Sequence, residues 1–306
     1  MKIQFLLAPY DSGRREWRMG RGPSYLLKHG VGSGIRALGH EVDAEYVEPG
    51  GVHDANPPAS TEIATTFSLY RELANRARDA RANGALPIAL GGNCGVTLGV
   101  MASLVPARRI MTSAEDDEGF RELDEVGVLW LDAHADFNTP ETTQSGFLDG
   151  MSLAILTGRC WYALSRSIPG FRPMDERNVV LAGIRDLDPS ETDLVRDSEL
   201  TVAKGKEARP TQLPERIAEA LRQLRSRVGQ LHVHLDVDVL DDTVARANAF
   251  AAPFGLTSDE LVEVARLAAS EFTVVSASVT AYDPAIDTAG AIPPAIARAV
   301  EALLTR

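Results

Sequence analysis

Val126-Gly127-Val128-Leu129-Trp130-Leu131-Asp132-Ala133-His134-Ala135-Asp136 runs an apolar stretch of strand length straight into three ionisable residues at alternate positions. Side chains of a strand repeat every two residues. Asp132, His134 and Asp136 therefore start on one face, at the carboxyl end where open α/β sheets place their sites. A strand buried on both faces has no other reason to end this way, because clustered ionisable groups are costly out of water unless a cation compensates them. Asp and His are also ligands that hard and borderline divalent metals take.

Working outward, similar apolar runs recur at 3–9, 41–47, 86–92, 178–184, 231–240 and 272–279. Helix-length patterns lie between them. One covers 21–40, with Pro23 in its first turn; another covers 60–84, opened by Ser60 or Thr61 and closed by Gly84. A third starts at Thr257-Ser258-Asp259-Glu260, a capping-box spacing, and a last spans about 293–304. Strands joined by helical crossovers pair in parallel, so the pattern predicts an α/β fold on a mainly parallel sheet. No repeat, linker or low-complexity segment divides 1–306, which reads as one domain. The acidic stretch 112–125 reads as a solvated loop or short helix.

Composition excludes several classes of function. A net charge of −12 argues against nucleic acid and anionic membrane as partners, since both need a basic footprint. Two cysteines, Cys94 and Cys160, make no disulfide framework, and no signal peptide or transmembrane span is visible, so a cytoplasmic location is expected. Gly30, Gly32 and Gly34 lack the spacing of a dinucleotide fingerprint, and Gly91-Gly92 has no Gly-Lys-Ser/Thr behind it.

His232-Val233-His234-Leu235-Asp236-Val237-Asp238 repeats the pattern of ionisable side chains at period two. Together the two runs place up to four carboxylates around a point, the charge that two divalent ions would neutralise. Paired ions share bridging carboxylates and lower the pKa of a bridging water, which points to a binuclear hydrolase.

At these residues the chain resembles the ureohydrolase family of arginase, agmatinase and relatives. The match comprises Gly91-Gly92-Asn93-Cys94 for the family's Gly-Gly-Asp-His, then Asp132-Ala133-His134-Ala135-Asp136, then Asp236-Val237-Asp238, with Met19-Gly20-Arg21-Gly22-Pro23 ahead of a helix. The resemblance implies a three-layer α/β/α sandwich, two divalent ions, most simply Mn2+, and hydrolysis of a guanidinium or amidine carbon by a metal-bridging hydroxide. It makes Asp132, His134, Asp136, Asp236 and Asp238 metal ligands, with Asp132 and Asp236 bridging and Asp136 orienting the hydroxide. It also implies a small-molecule substrate and a homo-oligomer.

Cys94 stands where the family has a His ligand. A thiolate there shifts preference from Mn toward Zn or Fe, whereas a packed thiol leaves a single-metal site. A Cys94 nucleophile is a further reading, one that needs a base nearby. His234 replaces a family Ser; it points the same way as Asp236 and is able to supply the lost imidazole or to pass a proton. His232 reads as packed or supporting, and His29, His40 and His53 as surface. Similar Cys and His substitutions occur in hydroxyarginine amidinohydrolases, which this chain resembles in that respect.

The segment 138–146 resembles the arginase loop that holds a substrate α-carboxylate, which makes Asn138, Thr143 and Ser145 binding residues. The segment 185–191 resembles the one that receives the α-amino group, chiefly through Asp188, although Asp188 before Pro189 also suits a turn or helix cap. Asp149 replaces the family's proton-shuttle His, a task for which a carboxylate needs a raised pKa. Ala281 replaces a Glu that pairs with the guanidinium, a charge that Asp283 or Asp149 is placed to restore. The reading is thus a metal-dependent amidinohydrolase of an arginine-like or Nω-hydroxyarginine-like amino acid. The alternatives are a catalytically silent binding homologue and a metal-dependent amide deacylase.

Overall fold

The computed structural model describes residues 1–50, 62–105, 126–204 and 212–305. The acidic stretch 112–125, His53 and the helix start at Ser60 or Thr61 lie outside the described residues. The strands are β1 (Lys2–Ala8), β2 (Tyr10–Asp11), β3 (Arg14–Arg15), β4 (Glu41–Tyr46), β5 (Ala85–Gly91), β6 (Val126–Leu131), β7 (Val179–Ala182), β8 (Thr201–Ala203), β9 (Gln230–Asp236) and β10 (Thr273–Thr280). The helices are α1 (Gly22–Lys28), α2 (Ser33–Ala37), α3 (Glu62–Ala82), α4 (Val96–Ala102), α5 (Ser152–Leu156), α6 (Tyr162–Ser165), α7 (Pro189–Arg196), α8 (Leu213–Arg225), α9 (Ser258–Glu271) and α10 (Ile292–Leu303).

Eight strands form one sheet in the order β4-β1-β5-β10-β9-β6-β7-β8, and every pairing within it among the described residues is parallel. Strand alternation assigns its two faces. Ile3, Phe5, Leu7, Leu129 and Leu131 join a core covered by α1, α2, α8, α9 and α10. Leu6, Ala8, Val128 and Trp130 join a second core covered by α3, α4 and α5. The result is the expected α/β/α sandwich. No described helix is long and apolar enough to cross a membrane.

One reading of the chain needed correction, and some elements went unread. The segment 21–40 is not one helix: Gly30 and Gly32 adopt φ of 117° and 105°, conformations that L side chains rarely take, and they separate α1 from α2. Strand β8 went unread because three residues at a sheet edge carry too little pattern. The Thr257–Glu260 capping box is present as expected, with both reciprocal bonds made.

The fold brings the carboxyl ends of β5, β10, β9 and β6 side by side. Gly92 lets the segment after β5 pass tightly under the β2–β3 hairpin, since a Cβ there would sit 2.3 Å from the Tyr10 carbonyl oxygen. Arg185 ties the neighbouring loops together. Its guanidinium donates to the carbonyls of Gly183, Asp238, Leu240, Ala252 and Pro253 at 2.7–3.1 Å.

Thr257→Ala removes a cap and is expected to lower unfolding free energy by about 1 kcal/mol in a urea titration. Arg185→Met, which strands several carbonyls at once, is expected to cost about 3 kcal/mol in the same measurement. A midpoint unchanged by the second substitution would contradict the role given to Arg185.

Candidate metal centre and its cavity

Each ligand-type side chain is fixed by the backbone that delivers it. Asp132, just beyond β6, accepts the His134 amide at 2.7 Å on Oδ1 and the Trp130 indole N–H at 3.2 Å on Oδ2. Asp136 lies four residues on, at φ 50°, where the chain turns back and its carbonyl accepts the amides of Leu153 and Ala154 at the start of α5. At the end of β9, Asp236 caps a short 3-10 turn by accepting the Asp238 amide at 2.8 Å. Asp238 in turn accepts the Ala133 amide and the Asn248 side-chain amide, at 3.2 and 3.1 Å.

Two groups of ligand-type atoms come together, and neither includes Asp136 or Asp236. Cys94, Asp132 and His234 each offer a donor within 4.8 Å of the others, and so do Asp132, His134 and Asp238. Asp132 belongs to both. Asp236 adjoins the first group, receiving the Cys94 thiol at 3.0 Å. The electrostatics match a site built for cations. Burial raises Asp132 to about 6 and pushes Asp136 and Asp236 well above the usual carboxylate range, reinforced by neighbouring carboxylates. Burial likewise pushes the Cys94 thiol up. At His134 burial would lower the pKa, but Asp238, Asp132 and Asp186 raise it to about 10. Two buried polar atoms in the cluster, Asp136 Oδ2 and His234 Nε2, have no hydrogen-bond partner. Orphans of this kind are rare in native structures and suit a metal ligand. The donor set therefore fits divalent ions.

Above the ligands opens a cavity of about 270 Å³. Cys94, His134, Asp136, Asp236 and Asp238 reach it, whereas Asp132 and His234 lie behind them. Asn138 and Ser145 line it from the 138–146 loop. Thr143 does not; its hydroxyl accepts the Gly146 amide within the loop. Asp188 also lines the cavity. It occupies the N-cap position of α7 but makes no side-chain cap bond, so its carboxylate is not spent on the helix.

Asp149 lines the cavity too, held by Asn93 Nδ2 at 2.9 Å and by the Gly95 amide and Ser152 hydroxyl at 3.2 Å. Burial raises it to about 7 against the pull of these donors. Ala281 presents only a methyl group, at φ 64°, and its carbonyl accepts Asn248 Nδ2 at 2.9 Å. Asp283 is absent from the cavity wall; its carboxylate accepts the Ala285 amide. Of the two acids considered as substitutes for a carboxylate at 281, only Asp149 reaches the cavity.

His232 is fully buried and bonded to Ser276 and Ser278, which fits its reading as a packed or supporting residue. His29 is exposed and His40 half-buried.

Glu191, Asn248 and Phe250 are among the cavity residues not singled out from the sequence. Glu191 is buried, accepts the Phe137 amide at 2.9 Å and is pushed up to about 7 by burial. Its spacing of three from Asp188 at a helix start was the available signal. Asn248 and Phe250 lie in a loop with no periodic pattern to mark them. Phe250 stacks on Phe147 at the rim, with ring centroids 5.8 Å apart.

Comparison with known proteins adds the lineage. Residues 1–305 match the sequence model of the Arginase family. An arginase of Brucella melitensis is 29% identical over 297 residues, 95% of this chain and 92% of that protein. An arginase of Bacillus caldovelox is 26% identical, with 93% and 92% of the two chains covered. In fold, arginase from Bacillus subtilis superposes with a TM-score of 0.83 at 23% identity, covering 100% and 99% of the two chains. Formimidoylglutamase from Bacillus subtilis superposes at 0.71 with 16% identity, covering 99% and 86%. The chain belongs to the arginase family of ureohydrolases.

Proposed function

We propose that the protein is a metal-dependent amidinohydrolase that cleaves a non-peptide C–N bond in an arginine-like amino acid of reduced basicity, with Nω-hydroxyarginine the leading type. The observation that carries this reading is the pair of ligand groups sharing Asp132 beneath a cavity that Asn138, Ser145 and Asp188 also line. Asp132, His134, Asp136, Asp236, Asp238, Cys94 and His234 would hold two divalent ions, Mn2+ by family habit, which supply an activated water at neutral pH.

The protein's own groups do the rest. Asn138 and Ser145 present neutral donors suited to an α-carboxylate. Asp188 and Glu191 would receive an α-amino group, Glu191 with its carboxyl pushed up to about 7 by burial. Asp149 is the acid placed to hand a proton to the departing amine, because it reaches the cavity and His234 does not. Phe147 and Phe250 stack at the rim and narrow the way for bulk water.

The chemistry at Ala281 decides basicity. A full guanidinium bound against a methyl wall lacks a counter-ion there, and a buried cation without its partner is penalised by several kcal/mol. Hydroxylation lowers the basicity of a guanidine. Comparison of kcat/KM for Nω-hydroxyarginine, arginine and agmatine is expected to rank them in that order, with agmatine poor because it offers no carboxylate to Asn138 and Ser145. Agmatine or plain arginine leading clearly would contradict the reading of Ala281. No turnover with Mn, Zn or Fe supplied would favour a silent homologue or a deacylase.

A further inference from the structure

The inner face of β9 is polar where a buried strand would ordinarily be apolar. His232 and His234 are both fully buried there, opposite Ser276 and Ser278 of β10 and against Thr97 of α4. Their hydrogen bonds form a continuous relay. His234 Nδ1 lies 2.8 Å from Thr97 Oγ1, Thr97 Oγ1 lies 2.7 Å from Ser278 Oγ, and Ser278 Oγ lies 3.2 Å from His232 Nε2. The chain ends where His232 Nδ1 meets Ser276 Oγ at 2.8 Å.

With Nε2 of His234 buried and without an acceptor, the proton of this imidazole sits on Nδ1, where Thr97 Oγ1 and Ser278 Oγ accept it at 2.8 and 3.0 Å. A donation sequence consistent with that tautomer runs from His234 Nδ1–H to Thr97, from Thr97 to Ser278, from Ser278 to His232 Nε2, and from His232 Nδ1–H to Ser276. Nε2 of His234 then presents a lone pair. The reverse direction puts a proton on Nε2, which is buried without any acceptor, and an unpaired buried donor carries a full desolvation cost. Stacking on Trp130, with centroids 3.7 Å apart, fixes the ring plane. His234 belongs to the group that contains Cys94 and Asp132, and Nε2 is the nitrogen left free for it.

The two ligand groups are therefore chemically unlike. One offers a thiol sulfur, an imidazole nitrogen and a carboxylate, all buried; the other offers one imidazole and two carboxylates, with His134 half-buried at the cavity. Thiolate and imidazole favour borderline ions, whereas carboxylate-rich positions suit harder ones. We propose that the centre holds a mixed pair, with a Zn2+-type ion at Cys94–Asp132–His234 and a Mn2+-type ion at Asp132–His134–Asp238, and that the His232 relay positions His234 for the first. The proposal rests on the metal-dependent reading of the preceding section but concerns which ion each position selects.

The test uses the full chain, stripped by chelator and given one equivalent of Zn2+ with excess Mn2+. Electron paramagnetic resonance is expected to show isolated Mn2+ rather than an exchange-coupled Mn pair. In a separate titration, the first equivalent of Co2+ is expected to bring a thiolate-to-cobalt charge-transfer band that Cys94→Ser abolishes. His232→Gln is expected to weaken that first equivalent about tenfold while keeping the band, as loss of a group supporting a ligand does. A coupled Mn pair that persists with Zn2+ present, or a cobalt spectrum without the band, would overturn the mixed pair alone. Unchanged affinity in His232→Gln would overturn the relay. Failure to bind any of the three ions would overturn the metal-dependent reading as well.

Discussion

Four carboxylates held out of water at the ends of two adjacent parallel strands dominate this molecule. Asp132, Asp136, Asp236 and Asp238 are all buried, and among the described residues the cavity wall sets only the His134 imidazole, and no lysine or arginine, against their mutual repulsion. Carboxylates in that state either take up protons or take up cations. The surrounding structure reads as scaffolding for the second choice. The backbone amides of His134, Ala133 and Asp238 point at the carboxylates, Arg185 pins the carbonyls of the loop that carries Asp238, and Asn248 joins that loop to the end of β10.

Much of this was legible in the sequence, because the signals are local and periodic. Apolar runs ending in Asp132 and Asp236 marked both the strands and the site, and the Thr257–Glu260 spacing marked a helix start that the structure reproduces. What stayed hidden depends on conformation or on distant contacts. The break between α1 and α2 follows from positive φ at Gly30 and Gly32, which a helical pattern of apolar residues conceals. The partnership of Asn93 with Asp149 links positions 56 apart, and Asn248 reaches Ala281 across 33 residues. The exclusion of Thr143 and Asp283 from the cavity is likewise a matter of where loops turn.

The departures from the family pattern fall into two clusters with different consequences. On the proposed reading, Cys94 and His234 would change which ions the centre suits without reducing the number of candidate ligands. Ala281 leaves a methyl group on the cavity wall, and Asn93 supplies the amide that holds Asp149 at the cavity.

The central claim is that Asp132 is common to two ion positions. Titrating the chelator-stripped chain with Mn2+ and with Zn2+ by calorimetry, alongside Asp132→Asn, tests it directly. The account predicts two ions per chain for the unaltered protein and loss of tight binding at both positions in Asp132→Asn, with the fold retained by circular dichroism. A folded Asp132→Asn variant that still binds two ions at undiminished affinity would contradict it.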